Sequence, residues 1–110
     1  MKVVKTCKSL VENKREYVLS KQLLRSGTAI GALIREAEHG ESKKDFIHKL
    51  AIGLKEANET EYWLELLHQS EYITDREFKE LSGSAGELNI LLISIIKSTK
   101  RNLENKNKTN

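Results

Sequence analysis

Apolar and small side chains recur along most of this sequence in alternating steps of four and three. They fall first at Leu19, Leu23, Ser26, Ile30, Leu33 and Ala37, then at Phe46, Leu50, Gly53, Ala57, Thr60, Leu64 and Leu67. The last set is Phe78, Leu81, Ala85, Leu88, Leu92 and Ile95. Each step returns to the same side of an α-helix, so each set is one stripe that needs a partner to cover it. The spacing predicts helices over Tyr17 to Glu38, Lys43 to about Ser70 and Asp75 to about Lys100. A weaker opening helix, Lys2 to about Asn13, carries Val3, Val4, Cys7, Leu10 and Val11 over about three turns.

Start signals support these boundaries. Ser42 precedes Asp45 by three residues and Thr74 precedes Glu77 by three, the spacing at which a hydroxyl accepts from a free backbone N–H and a carboxylate returns the bond. The second helix is expected to stop near His39 and Gly40, where a glycine can take the left-handed cap conformation. Connections of about three to six residues make sequential helices antiparallel neighbours. The expected fold is therefore all-α, an up-down-up-down four-helix bundle over residues 1–101 with a short first helix. Residues 102–110, which are Asn, Lys, Thr and Glu with one Leu, are expected to form a flexible tail.

Composition sharpens this picture. A chain of 110 residues allows one small domain, and 32% charged residues with no proline and 5% aromatic residues favour helix. The single cysteine, Cys7, excludes an internal disulfide and a multi-cysteine zinc site and fits a reducing compartment. The longest apolar run, Ile90 to Ile96, is interrupted by Ser94 and falls far short of the roughly 20 residues that a membrane crossing needs, and no signal-peptide pattern follows Met1. The expectation is a soluble, cytoplasmic protein with no membrane partner. Its net charge of +3 is unevenly spread: residues 1–35 hold eight basic and two acidic side chains, residues 36–96 six and thirteen, and residues 97–110 five and one. Basic ends around an acidic middle serve nucleic-acid contact or the pairing of oppositely charged helix faces within one assembly.

Enzyme chemistry finds little footing. Glu65 and His68 have the Glu-x-x-His spacing of di-iron bundles, but the nearest second copy, Asp45 and His48, lies twenty residues earlier on the same helix, about 30 Å away. One metal centre cannot use both, and both histidines fall off the stripe, as solvated surface residues do. Cys7 sits at a heptad-like position and reads as a small buried side chain. The Leu81 to Gly86 run lacks the spacing of a nucleophile elbow, and no phosphate loop occurs. The expectation is no catalysis, no cofactor, no metal and no small-molecule substrate. Glycines inside helices cost about 1 kcal/mol each relative to alanine. Gly27, Gly31 and Gly53 are therefore read as points of close helix approach.

Two surfaces are candidates for function. On the fourth helix, the side opposite the stripe holds Gly83, Gly86, Ile90 and Ser94 with no charge before Lys97, and Leu88 to Ile96 is apolar nearly all round. On the third helix, Tyr62 and Leu66 point away from the stripe, with Trp63 at its border. Apolar anchors in a polar rim predict a subunit interface, and hence a homo-oligomer. The second surface is basic: Lys21, Arg25 and Arg35 share the outer stripe of the second helix with Thr28 and Ala32. In addition, Lys2, Lys5, Lys43, Lys44, Lys97, Lys100 and Arg101 gather at one pole of an up-and-down bundle, in reach of RNA or DNA phosphates. Against that alternative stand nearby Glu36, Glu38 and Glu41 and the absence of interleaved aromatic residues for base stacking.

The stretches Leu23 to Ala37 and Ser42 to Ile47, together with Lys55 to Leu67, resemble the bacterial four-helix-bundle family that includes products of intervening sequences within 23S ribosomal RNA genes. This family is similar to the accessory protein of diversity-generating retroelements. The resemblance spans roughly Tyr17 to Lys100. It implies a ring-like homopentamer without known catalytic activity, and its retroelement relatives bind nucleic acid and a reverse transcriptase. Ala29 and Leu33 replace the serine and asparagine common in the family. The family's first helix usually begins well before the position matching Met1, which implies an opening helix that packs less fully here.

Overall fold

A computed structural model describes residues 2–108, with side chains as far as Lys106. Its elements in chain order are α1 (Lys2–Lys14), α2 (Val18–Glu38), α3 (Lys43–Gln69) and α4 (Asp75–Lys108), with no strand among the described residues. α1 packs on α2, α2 on α3 and α3 on α4. The result is the all-α four-helix bundle that the stripes predict, drawn out to 59 × 23 × 17 Å.

The stripes form the core. In α3, every stripe residue from Leu50 to Leu67 is buried, and in α2 Leu23, Ser26, Ile30 and Ala37 are buried. In α4, Leu81, Ala85 and Leu92 are buried as expected, but Ile96 replaces Ile95 at the end of the stripe. A straight helix of 3.6 residues per turn drifts from a strict seven-residue repeat, which shifts the buried position by one residue after a few turns. Two apolar clusters result. One gathers Cys7, Leu10, Leu23, Leu64, Leu67 and Leu81 with Ile73; the other joins Ala37, Leu50, Leu92 and Ile96. Full burial of a leucine such as Leu64 stabilises the fold by roughly 1.5–3 kcal/mol. The polar stripe positions Ser26 and Thr60 satisfy each other, with hydroxyls 3.0 Å apart across the α2–α3 contact, and Thr60 also lies 2.9 Å from the Glu56 carbonyl.

Helix ends are set by side chains in three different ways. Thr74 and Glu77 form the expected reciprocal box at α4, with bonds of 3.1 and 3.0 Å. Ser42 accepts from the Asp45 N–H at 3.1 Å to start α3, while the Asp45 carboxylate lies over Gly40. A Cβ on Gly40 would stand 2.8 Å from Asp45 Oδ2 and 3.1 Å from the Ala37 carbonyl oxygen. No described glycine has a positive φ, so Gly40 serves this close approach and not the expected left-handed cap. No capping motif precedes α2 in the sequence, yet the Glu16 carboxylate accepts from the Val18, Leu19 and Ser20 N–H groups at 3.1, 2.8 and 2.7 Å.

Two further departures concern length. α4 continues to Lys108, past the expected end near Lys100, so residues 102–108 are helical. After Gly86 the sequence offers no glycine or proline to stop the helix. The last two positions of the expected tail, Thr109 and Asn110, lie outside the described residues, as does Met1. α1 covers α2 only as far as Gly27, where a Cβ would stand 2.9 Å from Val3 Cγ1. Gly27 is thus a point of close helix approach, whereas Gly31 faces open space. Beyond Val3 the fourth corner of the bundle is a groove of about 360 Å³ lined by Gly27, Ile30, Gly31, Ile34, Leu81 and Leu88.

Candidate functional site

Four helices bury one stripe each, so function must be sought in what the stripes leave outside. On α4 the apolar residues of the Leu88–Ile96 stretch outnumber the positions that the core can take. Leu92 and Ile96 are buried, and Ile90 is left 72% exposed, Leu91 54% and Ile93 39%. Gly83 and Ser94 are exposed beside them. Gly86 is half-buried against α3, where its Cβ would stand 3.8 Å from Glu61 Oε1, and Asn89 donates to the same carboxylate at 3.0 Å. On α3, Tyr62 is 53% exposed and meets Trp63 edge to face at 5.0 Å. Trp63 itself packs on the cluster around Leu64 and Leu67, with its Nε1 buried and unpartnered, and Leu66 is half-buried. The large apolar residues left exposed here are therefore Ile90, Leu91 and Ile93 on α4 and Tyr62 on α3. The sequence pattern missed Leu91 and Ile93 as separate members, although the unbroken apolar character of Leu88 to Ile96 was their signal.

The basic candidates divide. Lys43 and Lys44 start α3, whose first turns pack on Leu92, Ile95 and Ile96 of α4. Lys97, Lys100 and Arg101 follow Ile96 directly, so the five cations share one end of the bundle and are exposed there, with Arg35 on the nearby last turn of α2. Lys2 and Lys5 do not join them. Because α1 is short, its start reaches only the middle of α2, and both lysines line a cleft with Glu77 and Glu80 of α4. Lys21 is exposed on the first turn of α2, away from that end. Arg25 is not free for phosphate: its guanidinium bridges α2 to α3 through Glu56 at 3.1 Å and Glu59 at 2.9 Å. The hydrogen bond from Arg25 holds the Glu59 carboxyl below its ordinary value.

Titratable groups in the core do structural work. Burial, with the nearby Glu16 charge, pushes the Cys7 thiol up to about 11, and its Sγ lies 3.4 Å from the Ser20 carbonyl oxygen. A thiol held protonated is a poor nucleophile. Burial also pushes the Glu16 carboxyl up, but the hydrogen bonds from the Leu19 and Ser20 amides, the Ser20 side chain and the Val18 amide outweigh it and leave the group below its ordinary value. His68 is not the solvated surface residue expected. It is half-buried, its ring stacks on Phe78 at 4.3 Å and 8°, and its Nε2 lies 2.6 Å from Asp75 Oδ1. That hydrogen bond and the His68 charge hold the Asp75 carboxyl below its ordinary range. Among the described residues no three His, Cys, Asp or Glu side chains converge as a metal site would require, and no helix is long and apolar enough to cross a membrane.

The sequence profile of the 23S rRNA-intervening sequence protein family matches residues 1–94. The chain belongs to this family. The bundle is similar to the 1.70 Å crystal structure of a protein of unknown function from the S23 ribosomal protein family of Bacteroides thetaiotaomicron VPI-5482. The two share 59% identity and a TM-score of 0.85 over 86% of this chain and 88% of that one. No curated protein matches the chain. The family is one of uncharacterised function, and neither comparison carries evidence of catalysis.

Proposed function

We propose that this member of the 23S rRNA-intervening sequence protein family is a non-enzymatic cytoplasmic assembly protein that acts as a homo-oligomer, with the pentamer implied by its resemblance as the working stoichiometry. The observation that carries this reading is the exposure of Ile90, Leu91 and Ile93 on one helix. Apolar side chains exposed singly are ordinary, whereas three within four residues of one helix, with Ile90 and Ile93 one turn apart on the same side, are an excess of the kind that marks a protein interface. Light scattering on the wild-type chain and on Ile90→Lys tests it. The expected outcome is an assembly at micromolar concentration that the lysine dissociates, because burying its charge against an apolar partner is costly. A wild-type monomer at that concentration would defeat the reading.

The five cations at the α2–α3 turn end favour a second reading, in which that end grips RNA or DNA phosphates. A salt titration of binding to structured RNA decides it. Affinity must fall steeply as salt rises if several phosphates are neutralised, and absent or salt-independent binding dismisses it.

A further inference from the structure

The stripe that α4 buries has a counterpart on the opposite side of the helix. Gly83, Glu87, Ile90, Ser94, Lys97 and Arg101 are all exposed, and they follow one another in steps of four, three, four, three and four. Those steps return to one side of a helix, so α4 carries a second seam, about 27 Å long, turned to solvent. Leu91 and Ile93, both exposed, flank it on either side. Within the chain α4 packs on α3 through Leu92 and Ile96, which point the other way.

The seam complements itself when reversed. Counted from Leu92, Glu87 lies five residues before and Lys97 five after, Ile90 two before and Ser94 two after, Gly83 nine before and Arg101 nine after. Laid antiparallel on a second copy, it sets Glu87 against the partner's Lys97, Ile90 against the partner's Ser94 and Gly83 against the partner's Arg101, each pair occurring twice. A small residue meets a large one and an acid meets a base at every level. A parallel contact would instead set Glu87 against Glu87 and Lys97 against Lys97, a like-charge juxtaposition that costs affinity. One step beyond each end Glu80 faces Glu104, but about 18 Å from the crossing point, where helices inclined by about 20° have separated.

The other exposed apolar surface is a groove of about 360 Å³ between α1 and α2, lined by Val4, Val11, Tyr17 and Leu24. Its charged lining residues are Lys8, Lys21 and Glu12, so an α4 seam laid there would bring Lys97 and Arg101 to two lysines and one acid. A second α4 matches both signs.

The geometry points to a twofold contact in which the α4 helices of two copies cross antiparallel at the level of Leu92, with Glu87 and Lys97 paired at both ends of an Ile90 centre. This inference rests on the self-association reading and adds which faces meet and by what symmetry. Each copy uses the same patch, so the contact is complete in a pair. It cannot close a five-membered ring; in a pentamer it joins one ring to another, and the assembly holds an even number of copies.

Glu87→Lys and Lys97→Glu test it, each checked for wild-type helical content by circular dichroism. Either change alone sets like charges together twice, and sedimentation velocity at low salt is expected to show the dissociation constant of the contact rising roughly tenfold or more. Mixed in equal amounts, the two variants restore opposite charges at both pairs and are expected to associate with each other in preference to themselves. The variant carrying both changes is expected to regain wild-type affinity. Single variants that assemble like the wild type, a mixture no tighter than its components, or an assembly with an odd number of copies overturns the contact. Leu24→Glu added to both charge variants is expected to leave their mutual association unchanged; its loss would put the α1–α2 groove opposite α4 and overturn the pairing too. A wild-type monomer would sink self-association as well, whereas a wild-type assembly indifferent to the charge reversals sinks only this inference.

Discussion

Glu16 is buried, yet it is an acid, and what makes it tolerable is the set of three backbone N–H groups it receives at the start of α2. A helix start leaves such donors unpaired, and a carboxylate there gains from both the hydrogen bonds and the positive end of the helix. Because the folded state holds the Glu16 carboxyl below its ordinary value of 4.5, its stabilisation is complete above that value. It is lost as pH falls through the lower folded-state value. Glu16→Gln is expected to cost about 1–2 kcal/mol at neutral pH, as loss of a good N-cap does. Thermal melts should show the wild type losing stability more steeply than the variant below about pH 4.5. Nothing in the local sequence marks Glu16: Ser, Thr, Asp and Asn are the expected caps, and glutamate reaches these N–H groups only because Arg15 turns the chain with a φ of 52°.

At the scale of the helix, the stripe residues were legible because their spacing is a property of the chain itself. Leu50, Gly53, Ala57, Thr60, Leu64 and Leu67 all went to the core as their periodicity requires. Helix ends were legible only where a local motif sets them. The Thr74–Glu77 box is such a motif, whereas α3 stops without a glycine: Glu71 takes a φ of 63°, its N–H donates to the His68 carbonyl at 3.0 Å, and the Tyr72 N–H donates to the Leu67 carbonyl at 2.9 Å. This is a Schellman stop with a glutamate in the position that glycine usually takes. Glu71→Gly is expected to raise stability by about 0.5–1 kcal/mol, since the left-handed conformation costs a side chain roughly that much more than it costs glycine. Ser70→Gly, one residue earlier and with φ of −88°, should lower stability instead. Chemical denaturation of the two variants checks both signs.

For the whole molecule, the short α1 is decisive. It covers half of α2, leaves a groove in the fourth corner and keeps Lys2 and Lys5 beside Glu77 and Glu80, away from the basic end. The sequence placed seven lysines and arginines at one pole because it treated all four helices as equal in reach. Of the apolar residues that mark the first helix in the sequence, Cys7 and Leu10 are buried, whereas Val4 and Val11 face outward. α1 buries Cys7 and Leu10 in the cluster shared by α2, α3 and α4, and the apolar residues on its outer side meet no further helix. The surplus on α4 is the surface on which the proposed self-association depends.

The sequence by itself determined the fold class, four helices, the boundaries of α2 and α3 to within a residue, and the apolar excess on α4, because periodicity and caps act between residues a few positions apart. Only the tertiary structure decided that Ser26 meets Thr60, that Arg25 is tied to Glu56 and Glu59, that His68 stacks on Phe78, and that α1 leaves an apolar groove on its outer side. Each of these depends on which helices become neighbours and at what height, and that register is set by packing across the bundle, which no local spacing records.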